Sequence, residues 1–284
     1  MTPNSFIQLT NDRKLCYSQF GDPNGFPLFF FHGWPGSRLQ GKGLNKIARK
    51  NKIRIIATDR PGSGLSDYYK GRTLLDFPDD IIALANHLGL KKFSILGNSG
   101  GGPYAAVCAY KISNRLHKVG ITVGLSPTNI TGVLRGMAFR NQAIWFLYHY
   151  IPLLMKINSW GLYLKDKLFP RNFIDIFNSK ADREMLTNEM KTEILVNRKE
   201  AFRQGIKGVA QDLKLYTNDW GFEVKNIHSR VYLWYGLQDK MVSIEMGRYY
   251  KKHITNSKLK LYPDVGHLLL KKYAEEILRE LSNY

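Results

Sequence analysis

Residues 93–104 read FSILGNSGGGPY and predict a strand, a sharp turn and a helix in direct succession. The apolar start of this stretch ends at Gly97, Ser99 lies in the glycine-rich turn, and residues 103–110 are compatible with a helix. Gly97 and Gly101 carry no β-carbon, so the chain can turn back tightly on either side of the serine. The Ser99 hydroxyl is therefore expected to project from the turn. The first N–H groups of the helix would then face any negative charge that forms beside it.

Strands and helices are predicted to alternate along residues 1–125 and again along residues 221–284. The uninterrupted apolar run at residues 27–31 is typical of a strand that is buried on both faces. This alternation predicts an α/β fold, with a mostly parallel central sheet covered by helices on both faces. Residues 126–220 are instead helical in pattern and rich in aromatic residues. We interpret them as a helical lid inserted into a core domain formed by the two flanking segments.

The net charge of +19 raises the question of a nucleic-acid or membrane-surface partner. The charge is spread along the chain, since residues 127–222 carry 14 basic and 9 acidic side chains and the remainder carries the rest. No zinc-finger spacing, basic-region helix or RNA-binding aromatic motif accompanies it. The sequence therefore predicts a basic, solvated surface and no nucleic-acid partner.

The sequence also favours a cytoplasmic location. No apolar run approaches the roughly 20 residues needed to span a bilayer, and the first residues lack a signal-peptide pattern. The two cysteines, Cys16 and Cys108, lie in apolar settings and are expected to be buried free thiols. Neither a metal-ligand cluster nor a dinucleotide-binding loop is recognised, so no cofactor and no metal are predicted.

Two histidines follow predicted strands, which matters because ligand sites in parallel α/β sheets lie beyond the C-terminal ends of the strands. They are His32 and His267 among the seven in the chain. His267 lies on the loop after the last predicted strand, from which an imidazole can reach Ser99, and it is the predicted general base. His32 is expected only to hold its own loop together.

The predicted acid, which would orient the imidazole, is Asp239. It follows the apolar strand VYLWY and precedes His267 by one strand–helix unit. Five other aspartates between Ser99 and His267 lie in the lid segment, and Asp264 is too close along the chain to His267 to orient its ring. The order serine, aspartate, histidine is the one expected when the nucleophile sits on such a turn.

Acyl transfer also needs N–H donors for the developing oxyanion. Gly100, directly after the serine, is one predicted donor, and Trp34, in the loop after residues 27–31, is the other. Pro35 biases Trp34 toward an extended backbone. In the lid segment, Trp145, Phe146 and His149 are candidate residues of the substrate pocket.

Five short motifs together resemble the α/β-hydrolase superfamily, and the resemblance covers nearly the whole chain. They are HGWPGS at 32–37, DRPGSGLSD at 59–67, GNSGG at 97–101, GLQD at 236–239 and GH at 266–267. The resemblance implies a nucleophile at Ser99, an acid at Asp239 and a base at His267. It also implies an oxyanion hole at Trp34 and Gly100 and a site between the sheet and the lid.

Three residues distinguish the chain within that superfamily. Asn98 stands where esterases and lipases often carry histidine, a position that varies without affecting the chemistry. The loop HGWPG, with Trp34 at its centre, differs from the HGGPG of members similar to proline iminopeptidases. Ser99 also separates the chain from haloalkane dehalogenases and epoxide hydrolases, which use aspartate as the nucleophile.

The resulting hypothesis is a serine hydrolase that cleaves a carboxylic ester of a small or medium apolar substrate through an acyl-enzyme. Two alternatives use the same three residues, namely an amidase or aminopeptidase and a carbon–carbon bond hydrolase. A third alternative is a ligand-binding protein on a hydrolase fold that has no catalytic activity. The complete set of serine, histidine and aspartate argues against this third alternative.

Overall fold

The computed structural model describes residues 2–169 and 179–283, and an eight-stranded sheet lies at its centre. The strands are β1 (Thr2–Gln8), β2 (Lys14–Gly21), β3 (Phe26–Phe31), β4 (Ile53–Thr58), β5 (Phe93–Asn98), β6 (Leu116–Thr122), β7 (Val231–Gly236) and β8 (Ser257–Tyr262). Their order is β1-β2-β4-β3-β5-β6-β7-β8. β2 pairs antiparallel with both β1 and β4, and all other pairs are parallel. The predicted mostly parallel α/β sheet is confirmed.

Helices cover both faces of this sheet. They are α1 (Asn45–Lys50), α2 (Phe77–His87), α3 (Gly102–Lys111), α4 (Phe139–Tyr150), α5 (Leu153–Leu168), α6 (Lys180–Met185), α7 (Asn188–Ala201), α8 (Lys207–Thr217), α9 (Ile244–His253) and α10 (Leu269–Ser282). Short 3₁₀ helices also occur, for example at Arg38–Leu44 and Ser99–Gly101.

The all-apolar sequence of β3 follows from this two-sided cover. Alternate side chains of a strand point to opposite faces of the sheet. Phe29 and Phe31 accordingly belong to the hydrophobic cluster that includes α2, α3 and α9, whereas Leu28 and Phe30 belong to the cluster that includes α1 and α10. Both faces of β3 are thus buried, which places the C-terminal end of this central strand beneath the functional loops.

Helices α4 to α8 lie between β6 and β7, and we call this part of the chain the helical insertion. Residues 170–178, within the segment predicted as a lid, lie outside the described residues. The exact division into a core (1–125 and 221–284) and a lid (126–220) stays a prediction. Cys16 and Cys108 are buried free thiols. No helix within the described ranges is long and apolar enough to cross a membrane.

A buried cluster of charges joins the helical insertion to the core. Asp212 of α8 accepts a hydrogen bond from Arg60 Nε at 2.7 Å, and its other oxygen accepts from Arg72 Nη2 and, at 2.7 Å, from Tyr104 Oη. Burial alone would raise the pKa of Asp212, but the two guanidinium groups hold it below its usual range. Arg60 also donates to the backbone oxygen of His32 at 2.5 Å. The cluster thereby fixes the loop after β3 to the helical insertion.

Removing the carboxylate of Asp212 should destabilise the protein strongly. Asp212→Asn would leave Arg60 and Arg72, both buried, without a countercharge, and this typically costs about 3–5 kcal/mol of unfolding free energy. Urea denaturation measures the change. Asp79→Asn is the matched control, because its partner Lys111 and Asp79 itself are exposed and such pairs contribute at most about 1 kcal/mol. Equal losses in the two variants would contradict this account.

Candidate active site

Ser99 occupies the sharp turn between β5 and α3. Its φ of +53° is in the left-handed region, which a residue with a side chain rarely adopts and which is characteristic of functional turns. The turn depends on its glycines. A β-carbon on Gly101 would lie 2.2 Å from the Phe31 carbonyl oxygen, and one on Gly97 would lie 2.4 Å from that of Gly101. Since neither contact is sterically possible, only glycine permits this approach of α3 to β3 and β5.

The structure brings the three predicted catalytic side chains together in a line. Ser99 Oγ lies 3.0 Å from Nε2 of His267, and His267 Nδ1 lies 2.8 Å from Oδ2 of Asp239. His267 stands on the loop after β8, and Asp239 stands on the loop after β7. The other carboxylate oxygen of Asp239 accepts hydrogen bonds from Met241 N at 2.7 Å and Val242 N at 3.0 Å. These contacts hold the carboxylate so that its Oδ2 atom faces the imidazole.

The charge environment of His267 favours its protonated form. Burial of the ring lowers its pKa, but the nearby carboxylates of Asp239 and Asp182 raise it, and the net result is a pKa above the ordinary histidine value. An imidazole in this setting can accept a proton readily and hold it next to Asp239.

The two residues predicted to donate N–H groups, Trp34 and Gly100, lie close to each other beside Ser99. Trp34 N lies 3.1 Å from the position that a β-carbon on Gly100 would occupy. No described residue accepts a hydrogen bond from Trp34 N. The Trp34 ring is anchored from the helical insertion, because its Nε1 donates to Val209 O at 2.8 Å. The Gly100 N–H belongs to the first turn of a helix, where N–H groups have no partner within the helix.

His32 supports this loop and does not take part in the line of catalytic side chains. It is fully buried, with Nδ1 2.8 Å from Gly33 O and Nε2 3.5 Å from Arg60 N. Burial and the adjacent Arg60 guanidinium lower its pKa well below the ordinary value. A neutral, buried imidazole of this kind holds the loop in shape, as the sequence interpretation expected.

A cavity of about 950 Å³ lies over Ser99, between the C-terminal ends of the strands and the helical insertion. Ser99, Gly100, Trp34 and His267 line it on the core side. The helical insertion contributes apolar side chains, among them Ile144, Trp145, Leu162, Ile194, Val196 and Leu213. It contributes about as many polar and charged ones, among them Arg140, Asn158, Lys165, Glu189 and Arg198. Apolar atoms form most of the exposed wall, as is typical of a small-molecule site, and polar and charged side chains form the rest.

Two of the three pocket residues proposed from the sequence need correction. Trp145 lines the cavity, together with its α4 neighbours Ile144 and Tyr148. Phe146 and His149 are not part of the cavity wall. The helical period turns Phe146 away from the face of α4 that carries Trp145. Phe146 is 57% exposed and packs on the Tyr150 ring, with centroids 4.8 Å apart. His149 Nε2 lies 3.4 Å from Thr128 Oγ1.

Sequence reasoning passed over two residues near the site. Asp182 of α6 accepts hydrogen bonds from His267 N at 2.8 Å and from Leu268 N at 2.9 Å. These contacts join residues that are more than 80 positions apart in the chain, so no local sequence pattern predicts them. Tyr216 of α8 also lines the cavity. Its buried hydroxyl has no hydrogen-bond partner among the described residues, and a β-carbon on Gly100 would lie 2.8 Å from it.

Across residues 2–169 and 179–283, no group of three or more histidine, cysteine, aspartate or glutamate side chains could hold a metal ion.

The titration of His267 should report the carboxylate beside it. In proton NMR, we expect the His267 ring to titrate above the ordinary histidine range, because Asp239 stabilises the charged imidazolium. Asp239→Asn removes that charge and should move the titration to lower pH. An unchanged His267 titration in the variant would contradict the assignment.

Comparison with known proteins agrees with the fold. Residues 27–272 match a family described by the alpha/beta hydrolase fold. A bifunctional esterase/perhydrolase of Acinetobacter calcoaceticus is 24% identical over 294 residues, which cover 97% of each chain. A proline iminopeptidase of Xanthomonas citri is 29% identical over 163 residues, covering 56% of this chain and 47% of the relative.

Among solved structures, an esterase of Exiguobacterium antarcticum superposes with a TM-score of 0.74 at 19% identity, covering all of both chains. At that identity, the likeness speaks for the fold alone. The match to the family extends over more than half of the chain and includes the elements that carry Ser99, Asp239 and His267. The chain therefore belongs to the α/β-hydrolase family of enzymes.

Proposed function

We propose that this protein is a serine hydrolase that cleaves carboxylic esters of small or medium apolar substrates. Ser99 is the nucleophile, His267 the general base and Asp239 the acid that orients it. The observation that carries the proposal is the continuous line of contacts from Asp239 Oδ2 through the imidazole to Ser99 Oγ, at 2.8 Å and 3.0 Å, at the floor of the cavity.

The reaction proceeds through an acyl-enzyme. Nε2 of His267 takes the Ser99 hydroxyl proton as Oγ attacks the acyl carbon, and the carbonyl oxygen becomes an oxyanion. The N–H groups of Trp34 and Gly100 stabilise that charge. When the tetrahedral intermediate collapses, the bond to the leaving oxygen breaks and His267 gives its proton to the alcohol. Water, activated by the same imidazole, then attacks the acyl-enzyme and releases the acid and the free serine.

Asp239 has a defined part in each proton transfer. Its carboxylate accepts a hydrogen bond from Nδ1–H of His267, which leaves Nε2 as the acceptor that faces Ser99. The same negative charge stabilises the imidazolium that forms when Ser99 is deprotonated. Because the carboxylate is completely buried and fixed by backbone N–H groups, it does not have to reorganise during the reaction.

The cavity supports an ester with an apolar acyl or aryl group. Apolar atoms form most of its exposed wall, including those of Trp145 from the helical insertion and Leu125 on the core side. The full-length relative from Acinetobacter is named for esterase and perhydrolase activity, whereas the match to the iminopeptidase covers only about half of each chain. An ester is therefore the favoured substrate class over a peptide.

Ser99→Ala should abolish ester hydrolysis while leaving the fold intact. We expect kcat on p-nitrophenyl esters to fall by about 10⁴-fold or more, because the variant loses the hydroxyl that contacts Nε2 of His267. Circular dichroism establishes the folding of the variant. Ser113→Ala, at an exposed serine in a surface turn, is the matched control and should retain the wild-type rate. A Ser99→Ala protein with near wild-type turnover would remove the basis of the proposal.

A substrate and probe panel separates the alternatives. We expect turnover of p-nitrophenyl esters to exceed that of matching anilides and β-diketones, because the alcohol is the best leaving group of the three. The preferred acyl chain should be short to medium in length, because the volume of the cavity limits the size of the acyl group. A fluorophosphonate probe should label the wild type and not Ser99→Ala. If folded wild-type protein is not labelled at all, a ligand-binding role on the hydrolase fold is favoured instead.

A further inference from the structure

One carboxylate of the helical insertion binds the backbone of the loop that carries His267. Asp182 lies on the short helix α6 and is only 1% exposed. Its Oδ2 accepts a hydrogen bond from His267 N at 2.8 Å, and its Oδ1 accepts one from Leu268 N at 2.9 Å. Hydrogen bonds to a charged acceptor are stronger than those between neutral groups. Both oxygens of a single side chain thus hold two consecutive residues of this loop.

The surrounding residues are shaped to admit this carboxylate. Ser179 Oγ accepts a hydrogen bond from Asp182 N at 3.0 Å and donates one to Oδ2 at 2.9 Å. Gly266 precedes His267, and a β-carbon there would lie 2.2 Å from Asp182 Oδ2. Only glycine therefore lets the carboxylate reach the loop. Apolar contacts add to the polar ones, because Leu268 packs against Met185 at the end of α6.

Asp182 also acts on the imidazole through its charge. Two carboxylates raise the pKa of His267, Asp239 from the loop after β7 and Asp182 from α6. Ser99, on the turn after β5, contacts Nε2 with a neutral hydroxyl. Lys271 of α10 is paired with Glu193 of α7 at 2.6 Å, and both line the same cavity. Asp182 is thus the carboxylate of the helical insertion that acts on the ring.

We propose that Asp182 is a positioning residue, which holds the loop of the catalytic base from the helical insertion so that His267 faces Ser99 only while α6 is seated. This inference rests on the proposed function, since it assigns His267 the role of base. Asp182 is not part of the cavity wall, so its effect on the reaction passes through His267. The position of α6 over the cavity then affects the proton transfer between Ser99 and His267, because Asp182 connects α6 to the loop of His267.

Asp182→Asn tests the proposal with little change in side-chain size. The amide removes the negative charge and turns one acceptor into a donor that faces a backbone N–H. With p-nitrophenyl acetate, we expect kcat to fall about tenfold, with KM nearly unchanged, because the loop holds the imidazole less well. The acidic limb of the kcat/KM profile should move to lower pH, since a charge that keeps the proton on His267 is lost.

Asp264→Asn is the matched control, because Asp264 lies on the same loop and makes the same change of charge. Its carboxylate is exposed and bonds to Lys272 Nζ and Tyr273 Oη, away from the His267 backbone. This variant should retain the wild-type kcat and the wild-type acidic limb. A shift of equal size in both variants would indicate a general effect of charge and would overturn the proposal.

The remaining outcomes are also decisive. If Asp182→Asn lowers Tm but leaves kcat and the acidic limb at their wild-type values, Asp182 is merely structural and the proposal is wrong. If that variant does not fold, Ser179→Ala replaces it, because it removes only the hydroxyl that holds the carboxylate. Ser179→Ala should change kcat and the acidic limb in the same directions by less, and wild-type values would overturn the proposal. Retained activity in Ser99→Ala would instead refute the proposed function itself.

Discussion

The left-handed backbone of Ser99 is the constraint on which the rest of the site depends. This residue directly follows the central strand β5 and begins the helical turn that leads into α3. The packing of the surrounding elements holds its backbone in this strained conformation. Gly97 and Gly101 bring β3, β5 and α3 so close that a methyl group would overlap backbone oxygen atoms. The free energy gained by burying the sheet thus offsets the cost of the strained backbone at Ser99. The Ser99 hydroxyl is held outside the core.

The loops around Ser99 owe their positions to contacts from the helical insertion. Asp212 fixes Arg60, and Arg60 binds backbone oxygens of the loop that carries Trp34. The Trp34 ring is bonded to Val209 O, and the loop of His267 is bonded to Asp182. The helices over the cavity therefore do more than cover it. They hold, through buried polar contacts, the elements on which N–H donors and the imidazole are presented.

The strand pattern of the sequence carried much of the prediction. Because strand ends in a parallel sheet converge on one edge, strand position reduced the seven histidines to His32 and His267. The chain order serine, aspartate, histidine then favoured His267 with Asp239. The structure places both in line with Ser99. The residues that line the cavity could not be predicted in this way. On an amphipathic helix over a cavity, one position separates Trp145, which lines the wall, from Phe146, which is largely exposed.

The sequence by itself determined the α/β class, the turn at Ser99 and the chain order of the candidate triad, because these follow from local periodicity and from glycines that only a tight turn requires. Tertiary structure alone decided which residues of the helical insertion face the cavity and which carboxylates reach the site. Asp182 and Asp212 act on partners more than 80 positions away in the chain. Such contacts are specified by how helices pack over the sheet, and no pattern of neighbouring residues encodes that packing.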